Sequence, residues 1–431
     1  MAFARTACMV DYELMTSVMI LIAGALAFFD ALRKGESMLL SLAMIFLCGM
    51  GMGAIFRRLN LPQLLGMLLT GILLGPYGLN LLDGSILSIS ADLRQIALIM
   101  ILTRAGLNLD VKDLKKVGRA AVLMCFVPAS FEILGMLVLA PRILGISLLD
   151  AAIMGAVAAA VSPAVIVPKM LKLMEERRGT GESIPQMIMA GASVDDVFVI
   201  VLFTSFTGLA GGGSASALDL LRIPTSIALG LAGGAVCGGL LAFLFGRIHM
   251  RDSAKVIIIL SISFLLVTLE HSLSGAVGFS GLLAVMAVGI TLQRRRGEAA
   301  ARLSAKYSKL WVAAELLLFV LVGATVDVGY ALASGAAAAL LILGALVFRM
   351  AGVLLCLAGT SLDTGERLFC MIAYMPKATV QAAIGAIPLS MGLPCGQIVL
   401  TVAVLSILIT APLGSFLIDR TNRKLLKPQQ D

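Results

Sequence analysis

The chain is 431 residues long, 60% hydrophobic and only 13% charged, with a formal net charge of +8. About a quarter of an ordinary soluble domain is charged, so a water-soluble enzyme is excluded, as is a disordered or fibrous chain. The apolar stretches run unbroken for about 20 residues, the length at which a helix crosses ~30 Å of hydrocarbon, and do not alternate as barrel strands do. The chain therefore reads as an all-α polytopic membrane protein.

In chain order the apolar runs predict fourteen spans, at about 13–30, 38–56, 61–82, 90–107, 117–140, 148–170, 185–208, 218–246, 255–271, 277–293, 309–328, 331–358, 366–390 and 396–419. The first lacks a basic leading segment and a cleavage site, so it reads as a retained span. The connections are short, which predicts a single membrane domain over 1–431. An even number of spans puts both termini on one side. With the basic C-terminal tail (Arg420, Arg423, Lys424, Lys427) placed in the cytoplasm, 25 of the 33 lysines and arginines fall on that side, including Arg5, Lys112, Lys115 and Lys116. Only Arg33, Lys34, Arg142 and Arg222 fall opposite. This asymmetry predicts cytoplasmic termini; the expected location is the cell (plasma or inner) membrane. The asymmetry also explains the positive charge without a nucleic-acid partner. The seven cysteines, Cys8 among them, show no CxxC pairing, and His249 and His271 stand far from any ligand cluster. No cofactor is expected.

Two spans carry proline near the middle, Pro163 in AAIMGAVAAAVSPAVIVPKM and Pro376 in ERLFCMIAYMPKATVQAAIGAIPL. Proline removes an N–H and clashes with the preceding turn. It also pushes Ser162 and Met375 out of helical geometry. Carbonyls near Ala159 and Ile372 should then lose their partners, which lipid tolerates only where the break faces protein or a wet cavity. The two breaks correspond. If spans two to seven (38–208) form one unit and spans nine to fourteen (255–419) another, each broken span is fifth in its unit. The offset is seven spans, so the units run in opposite directions. RAGLNLD (104–110) and VGATVDVG (322–329) echo one another at the third elements. Inverted repeats with paired broken helices belong to secondary transporters, whose substrate site lies near the midplane beside the breaks.

Charges near span centres cost roughly 2.5–3.5 kcal/mol each on insertion scales, so each needs a reason. Here they are Glu132, Asp195, Asp196, Arg349 and Lys377, with Arg104 and Glu315 less deep. Asp195 and Asp196 adjoin in GASVDDVFVIVLF and point about 100° apart on a helix. The economical expectation pairs one aspartate with Lys377 at the second break and leaves the other free to hold either a proton or a small cation. Glu132 and Arg349, each on the fourth element of its unit, form a second candidate pair, open to a structural or a charge-balancing role. Glu315 suggests a structural or gating role. Gly66, Gly71 and Gly75, and glycines 230, 233, 234, 238 and 239, lie at helical spacing and signal close packing.

The segments LPQLLGMLLTGILLGP (61–76), AAVSPAVIVPKM (159–170), GASVDDVFVIVLF (191–203) and YMPKATVQAAIG (374–385) resemble the cation:proton antiporter superfamily, and the last three its NHA branch of sodium/hydrogen antiporters. The resemblance implies the sodium–proton antiporter fold with two crossed broken helices. It also implies a homodimer, its protomers each with a transport core, about 90–208 and 309–419, beside a dimerisation scaffold that includes the first span. Exchange of Na+ or Li+ for H+ would proceed by elevator-like alternating access. Asp196 matches the ion-binding aspartate and Asp195 the aspartate that pairs with Lys377. Ser162 matches a position close to the ion at the first break, Thr379 is a lesser candidate near the second, and Glu132–Arg349 matches a salt bridge of this branch. K+/H+ exchange and Na+-coupled uptake of an organic anion remain alternatives on the same architecture, and a channel is a further one. An intramembrane aspartyl protease would need its aspartates on facing helices. GFSG (278–281) resembles a rhomboid serine motif, but both histidines precede it.

Overall fold

The computed structural model describes residues 37–108, 118–211, 217–273 and 279–428, apart from the side chains of residues 193, 211–224 and 271. The expected first span (13–30), Cys8, Arg5, Arg33, Lys34, Asp110, Lys112, Lys115, Lys116 and the side chains of Arg222 and His271 lie outside the described residues. The described helices are α1 (Met38–Arg58), α2 (Gln63–Leu74), α3 (Gly84–Ser88), α4 (Ser90–Asn108), α5 (Arg119–Met124), α6 (Val127–Leu144), α7 (Leu148–Ala159), α8 (Pro163–Glu175), α9 (Ile184–Gly211), α10 (Ala217–Arg247), α11 (Asp252–Leu273), α12 (Gly281–Arg295), α13 (Gly297–Ala324), α14 (Val328–Cys356), α15 (Thr364–Ala373), α16 (Thr379–Ile384), α17 (Ile387–Ser390) and α18 (Gly396–Leu425).

All thirteen expected spans from residue 38 onward have a helix or a broken helix at their place. Among the described residues nine spans are long and apolar enough to cross a membrane as they stand, α5–α6 and α7–α8 each counting as one. The others are α2, α4, α12 and the fragmented α15–α17.

Two departures from the sequence reading have local causes. α13 begins at Gly297, where the hydropathy put the span's start near 309. Its first turns are basic, but Ala300, Leu303, Ser304, Tyr307 and Trp311 are buried at helical spacing, so an amphipathic stripe carries the helix through the charged segment. The span over 117–140 is interrupted between α5 and α6 at Cys125 and Phe126, with Pro128 in the first turn of α6. Proline is at ease there because its missing N–H would have been unpaired.

Lipid offers no hydrophobic drive for helix association, so the helices gain from close van der Waals approach. The glycines supply it. A Cβ on Gly71 of α2 would lie 1.9 Å from the Val320 carbonyl of α13, and one on Gly323 would lie 2.1 Å from the Leu68 carbonyl. Gly230, Gly234 and Gly238 let α10 lie against α12 in the same way. Ser280 of GFSG precedes α12 at that contact, where its carbonyl faces Gly230, and its side chain makes no cap hydrogen bond. Gly135 and Gly352 seat α6 against α14 through Phe348 and Pro128.

The packing sorts into two groups. One joins α1, α2, α4 and α10–α13; the other joins α5–α9, α14, α15, α17 and α18, with α6 along α14 its main seam. The short α16 touches both. α4 and α13 therefore pack mainly with helices outside the expected core, and meet the broken helices through α16.

A second apolar cluster closes the end of the bundle where the broken helices finish and start. Leu173, Ile184, Phe369, Ile418 and Leu426 share it. The chain after α18 binds there: the Lys427 carbonyl accepts from the Gly179 N–H at 3.0 Å, and Lys427 Nζ pairs with Asp363 Oδ2 at 2.8 Å. Asp363 also caps α15, accepting from the Glu366 N–H at 2.9 Å. The lysine hydrogen bond, helped by that N–H, holds the Asp363 carboxyl below its usual range.

Candidate ion-binding site

The first broken helix stops at Ala159 and resumes at Pro163, with Ala160 and Ser162 extended between the halves. The second stops at Ala373 and resumes at Thr379, leaving Tyr374 to Ala378 without regular structure. The gaps cross. The Ser162 N–H donates to the Pro376 carbonyl at 2.8 Å, a main-chain bond between the two breaks.

The freed backbone groups are met mostly by side chains. Lys377 Nζ and Gln381 Nε2 both donate to the Ala158 carbonyl. Gln381 Nε2 also reaches the Ala160 carbonyl at 2.8 Å. Arg349 takes the Ala159 carbonyl, and its Nε donates to the Tyr374 carbonyl at 2.7 Å. The Val161 N–H donates to Asp195 Oδ2 at 2.9 Å, and the Lys377 N–H to Thr410 Oγ1 at 3.0 Å. The carbonyl near Ala159 is thus freed, as proline chemistry predicts. The Ile372 carbonyl is not, because the Met375 N–H turns back onto it at 3.2 Å. At the second break the freed carbonyls are those of Tyr374 and Pro376.

Four buried charges form one chain. Lys377 Nζ lies 2.7 Å from Glu132 Oε1. Arg349 Nη1 lies 2.9 Å from Glu132 Oε2, and Arg349 Nη2 lies 3.0 Å from Asp195 Oδ2. The expected pairing of Asp195 with Lys377 is corrected: among the described residues Asp195 pairs with Arg349, and Lys377 with Glu132. The planar guanidinium presents its donors in a rigid fork, and here two of its arms meet two carboxylates. With one fork arm on Asp195, Arg349 shares Glu132 Oε2 with Lys377, whose Nζ donates to it at 2.8 Å.

Asp196, one position along α9, is outside this chain. No lysine or arginine among the described residues lies within ion-pair distance of it, and its Oδ1 is buried without a hydrogen-bond partner. Asp195 Oδ1, Ser162 Oγ, Thr379 Oγ1 and Gln381 Oε1 share that condition. Every buried side-chain atom left unsatisfied around the crossing is an oxygen. Among the described residues no three histidine, cysteine or carboxylate side chains group as a metal site. Glu315 on α13 is engaged by the Gln63 side chain and faces Arg104.

Gln381, Tyr374 and Thr410 were not singled out by sequence. Tyr374 stacks under Arg349, 5.4 Å from the guanidinium to the ring centre, and its hydroxyl reaches the Met124 carbonyl at 3.3 Å, where α5 ends. Only the proximity of Tyr374 and Gln381 to Pro376 hinted at either; nothing in the sequence marked Thr410.

This arrangement is that of a secondary transporter built on crossed half-helices. The family model described as "Sodium/hydrogen exchanger, transmembrane" matches residues 39–423. Sodium/hydrogen exchanger 9B2 of Mus musculus is 32% identical over 419 residues, covering 91% of this chain and 74% of that one. Sodium/hydrogen exchanger 9B1 of Homo sapiens is 31% identical over 389 residues, covering 86% and 74%. The solved structure of the sodium proton antiporter MjNhaP1 from Methanocaldococcus jannaschii at pH 8 superposes with a TM-score of 0.78 at 21% identity, covering 89% of this chain and 97% of that one. The chain belongs to the sodium/hydrogen exchanger family, in the NHA branch of the cation:proton antiporters. It is an integral membrane protein of a transporter family, with the fold of a sodium–proton antiporter, and its class of activity is cation/proton antiport.

Proposed function

We propose that the protein exchanges Na+ or Li+ for H+, with Asp196 holding either the cation or the proton. The observation that carries this is a charge count with a set of oxygens. Glu132 and Asp195 are balanced by Arg349 and Lys377, so Asp196 is a fifth, surplus charge beside buried oxygens that lack donors. Hard monovalent cations take oxygen ligands. An organic anion would need several donors. The ammonium, guanidinium and amide donors at the crossing are spent on carbonyls and carboxylates, which among the described residues leaves only the Ser162 and Thr379 hydroxyls uncommitted. Ser162 and Thr379 are the further ligands nearest the two breaks.

Lys377 is held by Glu132 and a backbone carbonyl, so a cation arriving at Asp196 displaces the proton there and leaves the lysine charged. One proton then leaves for each cation, and exchange is electroneutral. The moving body is α5–α9 with α14–α18, sliding as an elevator against a scaffold of α1, α2, α4 and α10–α13 through which two protomers pair. This draws the core at about 119–211 and 328–425 in place of 90–208 and 309–419. The basic end of the bundle, with both termini, faces the cytoplasm of the cell membrane.

The test uses sealed vesicles holding a pH gradient, followed with a pH-sensitive dye. Na+ or Li+ collapses the gradient with wild-type protein and not with Asp196→Asn. K+ acting where Na+ and Li+ do not would replace the assignment with K+/H+ exchange. Silence of all three on the wild type would leave Na+-coupled solute uptake as the reading to test. Clamping the membrane potential should leave the rate unchanged.

A further inference from the structure

We propose that Gln381 positions the first helix break with its amide nitrogen and gives its amide oxygen to the transported cation, so that it helps set which cation is carried. The proposal rests on Asp196-centred exchange as the activity. Gln381 is fully buried, at 0% exposure. Its Nε2 bridges the carbonyls of Ala158 and Ala160, at 3.2 and 2.8 Å. Carbonyl oxygens only accept, so this fixes which end of the amide faces the break. The other end, Oε1, is buried with no donor.

A buried amide oxygen without a donor is costly unless a cation or water supplies the missing contact. Both hydrogens of the same amide are used, and the stretch they grip is the one whose next N–H, at Val161, holds Asp195. The amide therefore does two jobs with one planar group. It pins the carbonyls at the first break, and it leaves a neutral oxygen buried there without a donor. A neutral ligand adds coordination without a second negative charge, which leaves one-for-one exchange at Asp196 undisturbed. The Ala158 carbonyl is shared with Lys377 Nζ, so Gln381 also shapes the surroundings of the buried lysine.

The experiment compares wild type with Gln381→Met and Gln381→Glu in reconstituted vesicles, over Na+, Li+ and K+ concentrations and from about pH 6 to pH 9. Methionine keeps the length and removes both polar atoms. It should raise the apparent KM for Na+ and Li+ about tenfold, a loss equivalent to one modest contact, change their ratio, and alter the maximal rate less. Glutamate returns an oxygen but opposes both carbonyls. It should recover part of the KM and shift the pH profile, because a titratable group has been added. Wild-type KM values and an unchanged Na+/Li+ ratio in Gln381→Met would overturn the proposal, as would identical behaviour of the methionine and glutamate proteins. Should Gln381→Met fail to run as a folded species in gel filtration, Gln381→Asn, which keeps both groups at shorter reach, takes its place with the same two criteria. A wild type that exchanges no cation defeats the Na+/H+ reading itself, whereas an unaffected variant of an active wild type defeats only the role of Gln381.

Discussion

Glu132 stands between two cations; its loss strands Lys377 and leaves Arg349 with Asp195 alone. Removing one partner of a buried ion pair costs about 3–5 kcal/mol, because the remaining charge stays dry and unpaired. Glu132→Gln should therefore melt far below the wild type in detergent. Adding Lys377→Gln removes the charge that Glu132 had answered at 2.7 Å, so the double variant should melt above Glu132→Gln alone. Strict additivity of the two single shifts would show that the contact contributes nothing. Every member of this chain of charges was visible in the sequence as an ionisable residue at mid-span. The pairing was not, because periodicity gives a residue's depth and face but not which carboxylate an arginine fork will bridge. Gln381 was silent for a related reason: a neutral amide in an apolar run has no hydropathy signature, and only the carbonyls it meets show its use.

At the scale of elements, the breaks are held open by fit as well as by hydrogen bonds. A Cβ on Gly191 of α9 would lie 2.1 Å from the Tyr374 hydroxyl, so the aspartate-bearing helix is seated against the second break through a missing side chain. Gly191→Ala should lower both melting temperature and exchange rate. Tyr374→Phe in the same chain removes the atom in the way and should restore part of each, while Tyr374→Phe alone forfeits only the bond to the Met124 carbonyl. A double variant no better than Gly191→Ala would show that the clash lies elsewhere. The two prolines made both breaks legible. What proline chemistry did not give was how far each gap runs: one N–H folded back at Ile372, and the second gap shifted to Tyr374–Ala378. The start of α13 was legible in principle, since the stripe from Ala300 to Trp311 has helical spacing, but hydropathy averaging hides a stripe under its basic neighbours.

For the whole molecule, the tie between the chain after α18 and the two broken helices is electrostatic in part, and its pH range can be worked out. The Lys427 hydrogen bond and then the Glu366 N–H lower the Asp363 carboxyl, so its contribution is present above the unfolded value of about 3.9 and is lost as pH falls through the lower folded value. Lys427 is raised, by Asp363 first. Its contribution is present below the unfolded value of about 10.4 and is lost as pH rises through the higher folded value. Both contributions are constant across the range in which exchange is measured. Asp363→Asn should thus lower the melting temperature equally at about pH 6 and about pH 9 and leave the pH profile of exchange in place. A melting shift that differs between the two would contradict the pairing. The same tie has a consequence for biosynthesis. Synthesis is vectorial, and chains fold from the N-terminus as they emerge. The residues that join Gly179 to Asp363, and Thr410, which receives the Lys377 N–H, leave the ribosome after both broken helices. Each half of the crossing must therefore wait in the membrane, incompletely satisfied, until the last helix arrives to fasten it. A nascent chain stalled before that helix would expose the unfinished crossing to quality-control proteases, whereas a finished one would not.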